Sequence, residues 1–213
     1  MSNVFYLKNN ANKGKTGKTL AARFLSYDGR YIRDPNVEKA RNAVIYTDAG
    51  GHSLADNANP DAYFIVPSDY SIQSAIVFSN MISDTLVCNG INSAYGLMIG
   101  AFMPNGSHDL QRTYPESDGT NPGCFVSEFT DSASFHFGFV ATYSGIGERA
   151  ALIGGGLLNR SHYLTNRRID TSGIDGNYPD NVRSIQAGAT FAQALQQRYG
   201  MHSPGFCYGL PVY

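Results

Sequence analysis

The chain has 213 residues, 42% of them hydrophobic and only 15% charged, with a formal net charge of −1. That is enough apolar material for one ordinary domain, which excludes global disorder, while the charged share lies well below the roughly 25% of an average soluble domain. A neutral surface suits packing into an assembly, because net charge is what keeps proteins apart.

The few charges are segregated along the chain. Residues 1–41 hold nine basic and three acidic side chains, residues 42–148 one basic and eleven acidic, and residues 149–213 six Arg and three Asp. A single domain, 1–213, with a basic start, an acidic middle and a basic end is the expected organisation. Either the ends fold back onto the acidic middle, or the basic regions of one copy meet the acidic face of the next. No basic stripe runs through the middle, which argues against nucleic-acid binding.

In chain order, Val4–Leu7 reads as a short strand, and Asn9–Thr19 as a polar loop rich in Lys and Gly. Leu20–Leu25 could open a helix, but Ser26–Ile32, with Asp28-Gly29 between apolar and aromatic residues, reads better as a hairpin. Ala43–Tyr46 and Ala62–Val66 are expected strands, the second stopped by Pro67, and Asp48–Gly51 and Asp56–Pro60 are turns or loops. Ser71–Val87 has no clean period, so strand and helix both stay open. Tyr95–Met103 is expected to be a Gly-punctuated strand, followed by a polar loop over Pro104–Gly123.

Ser134–Val140 alternates and predicts a strand with Phe135, Phe137 and Phe139 on one face and His136 on the other, at a surface or interface. Ala150–Leu158, around Gly154–Gly156, is expected as another strand, and Asp170–Asn181 as a second polar loop. Over Val182–Tyr199, apolar Val182, Ile185, Ala189, Ala192 and Leu195 predict a helix face, with Gly200 as the stop. The aromatic tail Pro204–Tyr213 is expected as an extended arm. The fold class this predicts is α+β, mainly β: short antiparallel strands, long polar loops and one C-terminal helix.

Lys13-Gly-Lys-Thr-Gly17-Lys18-Thr19 resembles the phosphate-binding loop of P-loop ATPases, with Asn12 and Lys15 standing where its two forms carry Gly. The resemblance implies phosphate held by backbone N–H groups at a helix N-terminus. The roles would fall to Lys13 as signature lysine, Gly17, Lys18 as charge neutraliser and Thr19 toward Mg²⁺. Arg149–Gly156 with Asn159, Arg160 and Asn181-Val-Arg183 is similar to the closing segment of C-type-lectin-like phage proteins, a family that displays ligand-binding loops on a rigid scaffold. Low charge, abundant Tyr, Asn and Gly and many short strands also resemble bacteriophage virion proteins: capsid decoration proteins, head fibres and tail-fibre tips.

Other chemistry is thin. Cys88, Cys124 and Cys207 form no CxxC pair and read as three reduced thiols. The five His (52, 108, 136, 162 and 202) show no metal-ligand spacing, and no GxSxG elbow occurs. Glu116, Glu128 and Glu148 could act as acid and base only if the fold joined them. No cofactor or metal is expected. No secretory signal is visible in the opening residues and no apolar run approaches the roughly 20 residues that span a bilayer, so a virion protein, or otherwise a cytoplasmic one, is expected. The expected function is non-enzymatic: a structural or carbohydrate-binding phage protein that partners with itself, with other particle proteins and with surface glycans. Tyr114, Asn121, Asn177 and Tyr178, in the two polar loops, are the candidate ligand contacts. The alternative is a P-loop-like nucleotide-binding protein.

Overall fold

The computed structural model describes residues 5–8, 19–26, 31–32, 63–112, 126, 129–166, 177 and 179–200. Among these, helices dominate. Five helices of 12 to 21 residues, Ile72–Asn89 (α1), Ile91–Phe102 (α2), Thr130–Tyr143 (α3), Glu148–Asn166 (α4) and Pro179–Tyr199 (α5), pack beside a small antiparallel sheet. Its strands are Phe5–Lys8 (β1), Thr19–Ser26 (β2), Tyr31–Ile32 (β3) and Tyr63–Pro67 (β4). The expected mainly β, beta-rich class is therefore wrong: this is a predominantly helical protein.

β2 is the central strand, paired antiparallel with β1 (Phe5 opposite Ala22), β3 (Leu25 opposite Tyr31) and β4 (Phe24 opposite Ile65). The Leu25–Tyr31 pair closes the hairpin announced by Asp28-Gly29. The helix that a P-loop requires after Thr19 is replaced by β2, whose first residue pairs with Lys8. In β4, buried Phe64 and Val66 alternate with less buried Ile65 and join Leu25, Tyr70, Leu110 and Phe135 in the core beneath the sheet.

α1 settles the segment whose period was ambiguous. Ser71 caps it, its Oγ accepting the Ser74 N–H at 3.3 Å, and Ala75, Phe78, Ser79 and Ile82 recur at helical spacing on the buried face. Gly90, at φ 82°, ends α1 by donating its N–H to the Leu86 carbonyl and at once begins α2. In α2 buried Ala94, Met98 and Ala101 form one stripe. Tyr95–Met103 is thus a helix and not a strand: the helical penalty of Gly96 and Gly100, roughly 1 kcal/mol each, is outweighed by burying that stripe.

The largest correction concerns Ser134–Val140. Aromatic alternation there is not a strand face, because these residues lie inside α3, the central helix. At about 100° per residue, Phe135 and Phe139 share one side and Phe137 points to the other. Such a helix is apolar all round because it is covered all round, by α5, α4, α1 and β4. Ala150–Leu158 is likewise helical, within α4. There the small residues admit side chains: a Cβ on Gly154 would stand 3.2 Å from Cζ of Phe137, and one on Gly155 2.9 Å from Cδ1 of Ile185.

The closest packing joins α3 and α5, the helix expected over Val182–Tyr199, which runs from Pro179 to a stop at Gly200. Where they cross, a Cβ on Gly138 would overlap the Ile185 carbonyl, and one on Gly188 the Phe135 carbonyl. The two backbones touch, and Phe139, Val140, Ile185, Ala189 and Ala192 fill the core around the crossing. Cys88, at the exposed end of α1, is disulfide-bonded, which corrects the expectation of three reduced thiols.

Candidate functional site

α3 carries one buried polar ring among its aromatics. His136, 2% exposed, is not at a surface, as strand geometry had placed it, but faces the end of α2 and the turn before α1. Both its ring nitrogens are engaged: Nδ1 with the hydroxyl of buried Tyr70 at 3.3 Å, and Nε2 with Nδ1 of His108 at 2.9 Å. Three side chains from three parts of the chain thereby form one hydrogen-bonded line.

Each is held by its surroundings. Tyr70 sits in the turn between β4 and α1, where its N–H reaches the Pro67 carbonyl, and its ring stands edge-on to His136. His108 lies in the turn after α2, anchored by its N–H on the Ala101 carbonyl at 2.9 Å. Asp109, buried beside it, shapes that turn. Its carboxylate accepts the N–H groups of Asn105 (2.9 Å) and Gln111 (3.2 Å) and pairs with Arg112 at 3.0 Å. Phe78 of α1 stacks on one face of the His108 ring at 3.8 Å and 17°, while His136 meets it edge to edge through the hydrogen bond, the ring centres 5.1 Å apart and the planes 22° from parallel.

Burial pushes His136 well below the ordinary histidine value, with the nearby His108 adding to the effect, and burial also lowers His108. Both rings are neutral at neutral pH, and two hydrogen orders satisfy the two distances. In the outward order Tyr70 donates to Nδ1 of His136, Nε2–H of His136 donates to His108, and His108 shows a proton at Nε2. In the inward order His108 donates to His136, His136 donates to the Tyr70 oxygen, and Nε2 of His108 shows a lone pair. One added proton can be shared between the imidazoles. A second would set N–H against N–H.

Nε2 of His108 has no partner among the described residues. His108 also lines a groove of about 380 Å³, together with Gln73, Ser74, Val77, Phe78 and Met81. None of these carries a permanent charge.

The residues singled out from sequence lie elsewhere. Asn177 is fully buried, and its Nδ2 donates to the Leu152 carbonyl of α4, so it braces the core. Tyr114, Asn121, Tyr178, Lys13, Gly17 and Lys18 fall outside the described residues, as do Glu116 and Glu128; Thr19 opens β2. Among the described residues no cluster of three or more His, Cys, Asp or Glu could hold a metal, and no helix is long and apolar enough to cross a membrane. The Tyr70–His136–His108 line was invisible in the sequence, because 66 and 28 residues separate its hydrogen-bonded pairs. Comparison of the chain with protein families, curated proteins and solved structures finds no match.

Proposed function

We propose that the protein is a non-enzymatic building unit of a homo-oligomer, with the outward face of α2 as its contact surface. The observation that carries this reading is the chemistry of that helix: its twelve residues include no Asp, Glu, Lys or Arg. On its solvent side Ile91, Ile99 and Met103 are 44%, 42% and 47% exposed, with Val87 of α1 at 58% beside the helix junction. A solvated helix face ordinarily carries charge, whereas the core of a protein interface is apolar and depleted in it. Gly96 and Gly100, exposed between the large side chains, leave room for a neighbouring backbone to approach. The segregation of basic and acidic stretches along the chain adds complementary charge for contacts between copies.

The proposal stops at self-assembly. The short strands that entered the likeness to virion proteins are largely replaced by helices, and of the four candidate glycan contacts only Asn177 is among the described residues, where it is buried. Light scattering tests the reading. The wild-type protein is expected to be a defined oligomer, loosened by high salt, and Ile99→Glu to be a folded monomer. Gln197→Glu, on exposed α5 surface, should leave the oligomer intact. A wild-type monomer at all concentrations overturns the proposal.

A further inference from the structure

The groove beside His108 uses none of the residues of the proposed contact face, and its chemistry is of another kind. Val77, Met81 and the edge of Phe78 make an apolar wall, with Val77 61% and Met81 47% exposed. Gln73, Ser74 and His108 supply the polar groups. Among the described residues of the lining a carboxylate or phosphate would meet no cation, and an ammonium no carboxylate, so this lining favours a neutral molecule. His108, whose Nε2 is the one ring nitrogen of the line without a partner among the described residues, is one of the residues lining this groove. In the inward order it is an acceptor backed by two further hydrogen bonds, through His136 to Tyr70, whose hydroxyl oxygen receives the last proton. The stack of His108 on Phe78 and its in-plane hydrogen bond to His136 fix the orientation of the ring before anything binds, which removes the ordering cost a mobile side chain would incur.

We propose that this groove binds a small neutral molecule presenting one hydroxyl on an apolar frame, a phenol being the best-fitting class, with Nε2 of His108 accepting the hydroxyl proton in a hydrogen bond. The ring of such a ligand lies against Val77 and Met81, and its hydroxyl points at His108. Tyr70 and His136 are positioning residues: in the inward order, which the ligand's hydroxyl selects, they take up the proton of His108 Nδ1 in turn and do not touch the ligand.

The test is a nuclear magnetic resonance titration of the full chain with p-cresol and, in parallel, with toluene, which has the same frame without the hydroxyl. Saturable shifts of the Met81 methyl and of the His108 ring nitrogens are expected with p-cresol, and binding roughly three- to tenfold weaker with toluene, the worth of one hydrogen bond. In Tyr70→Phe the inward order loses its terminal acceptor, so the p-cresol advantage should shrink while toluene binding is unchanged. His108→Phe keeps the stack on Phe78 and should make the two ligands equal. Equal binding of p-cresol and toluene to the wild-type protein overturns the proposal without reference to any variant, and so does the absence of saturable binding of p-cresol. Because the readout is ligand binding and not mass, failure here leaves the assembly reading standing, and the reverse also holds.

Discussion

Replacing Gly188 by Ala tests the crossing of α3 and α5 directly. In an ordinary helix the change is favourable by roughly 1 kcal/mol, because Ala restricts the unfolded chain and exposes less backbone. Here the new Cβ overlaps the Phe135 carbonyl, with N of Phe139 at 2.7 Å and the Phe135 carbonyl carbon at 2.9 Å. All three are backbone atoms, so no side-chain rotation relieves the overlap and the helices must separate. That separation loosens the packing of Phe139, Val140, Ile185 and Ala189 at once. Overpacking of this kind costs about 1–3 kcal/mol, and with rigid neighbours the upper end applies. Net of the propensity gain, Gly188→Ala should lose about 2 kcal/mol, a fall in Tm of about 4–8 °C for a chain of this size. At Gly96 of α2 an added Cβ meets nothing within 4 Å in its own chain, so in the monomeric Ile99→Glu background Gly96→Ala should instead gain up to about 1 kcal/mol, or about 2–4 °C. Thermal melts and urea titrations followed by circular dichroism measure both. A Gly188→Ala protein as stable as the wild type would refute the backbone contact.

Acid should destabilise the fold. His136 and His108 have lowered values when folded, so below about pH 6.5 the unfolded chain binds more protons and stability falls as pH falls, by up to about 1.4 kcal/mol per pH unit for each proton. Asp131, raised by burial and by Asp180 and partly offset by Arg183, and Asp69, raised by burial against its backbone hydrogen bond and Arg23, act with the opposite sign. Their window opens upward from the carboxylate value near 3.8, so the difference between the wild type and His136→Gln in a urea series from pH 8 to 5 isolates the histidine slope. His136→Gln should flatten it. Asp109→Asn, which weakens the cage around Asn105, Gln111 and Arg112, should cost about 1–3 kcal/mol in the same titrations and disturb the His108 ring signals. Because Cys88 is disulfide-bonded and the chain holds three cysteines, thiol titration in denaturant should read one free thiol per chain before reduction and three after it.

Some of this molecule is written in short stretches of sequence. Asp28-Gly29 announces its hairpin, Gly200 ends a helix, and the 3.6-residue spacing of Val182, Ile185, Ala189 and Ala192 draws the buried face of α5, because each of these signals acts within a few residues. Low charge is legible in the same way, whereas the bare face of α2 is not, since Tyr95–Met103 reads as a strand until it is seen folded as a helix. What sequence could not decide is where a residue's partners lie. Phe135, His136, Phe137, Gly138 and Phe139 read as a strand because half-buried strands alternate; a helix enclosed on every side puts large apolar residues at all angles, and a run that short satisfies either period. Only the arrival of α5, α4, α1 and β4 around it selects the helix. Gly138 and Gly188 look like breakers until two backbones meet at them. Tyr70, His136 and His108 are three ordinary residues until tertiary packing excludes water from between them, and that exclusion, a property of no local segment, is what turns them into one hydrogen-bonded line.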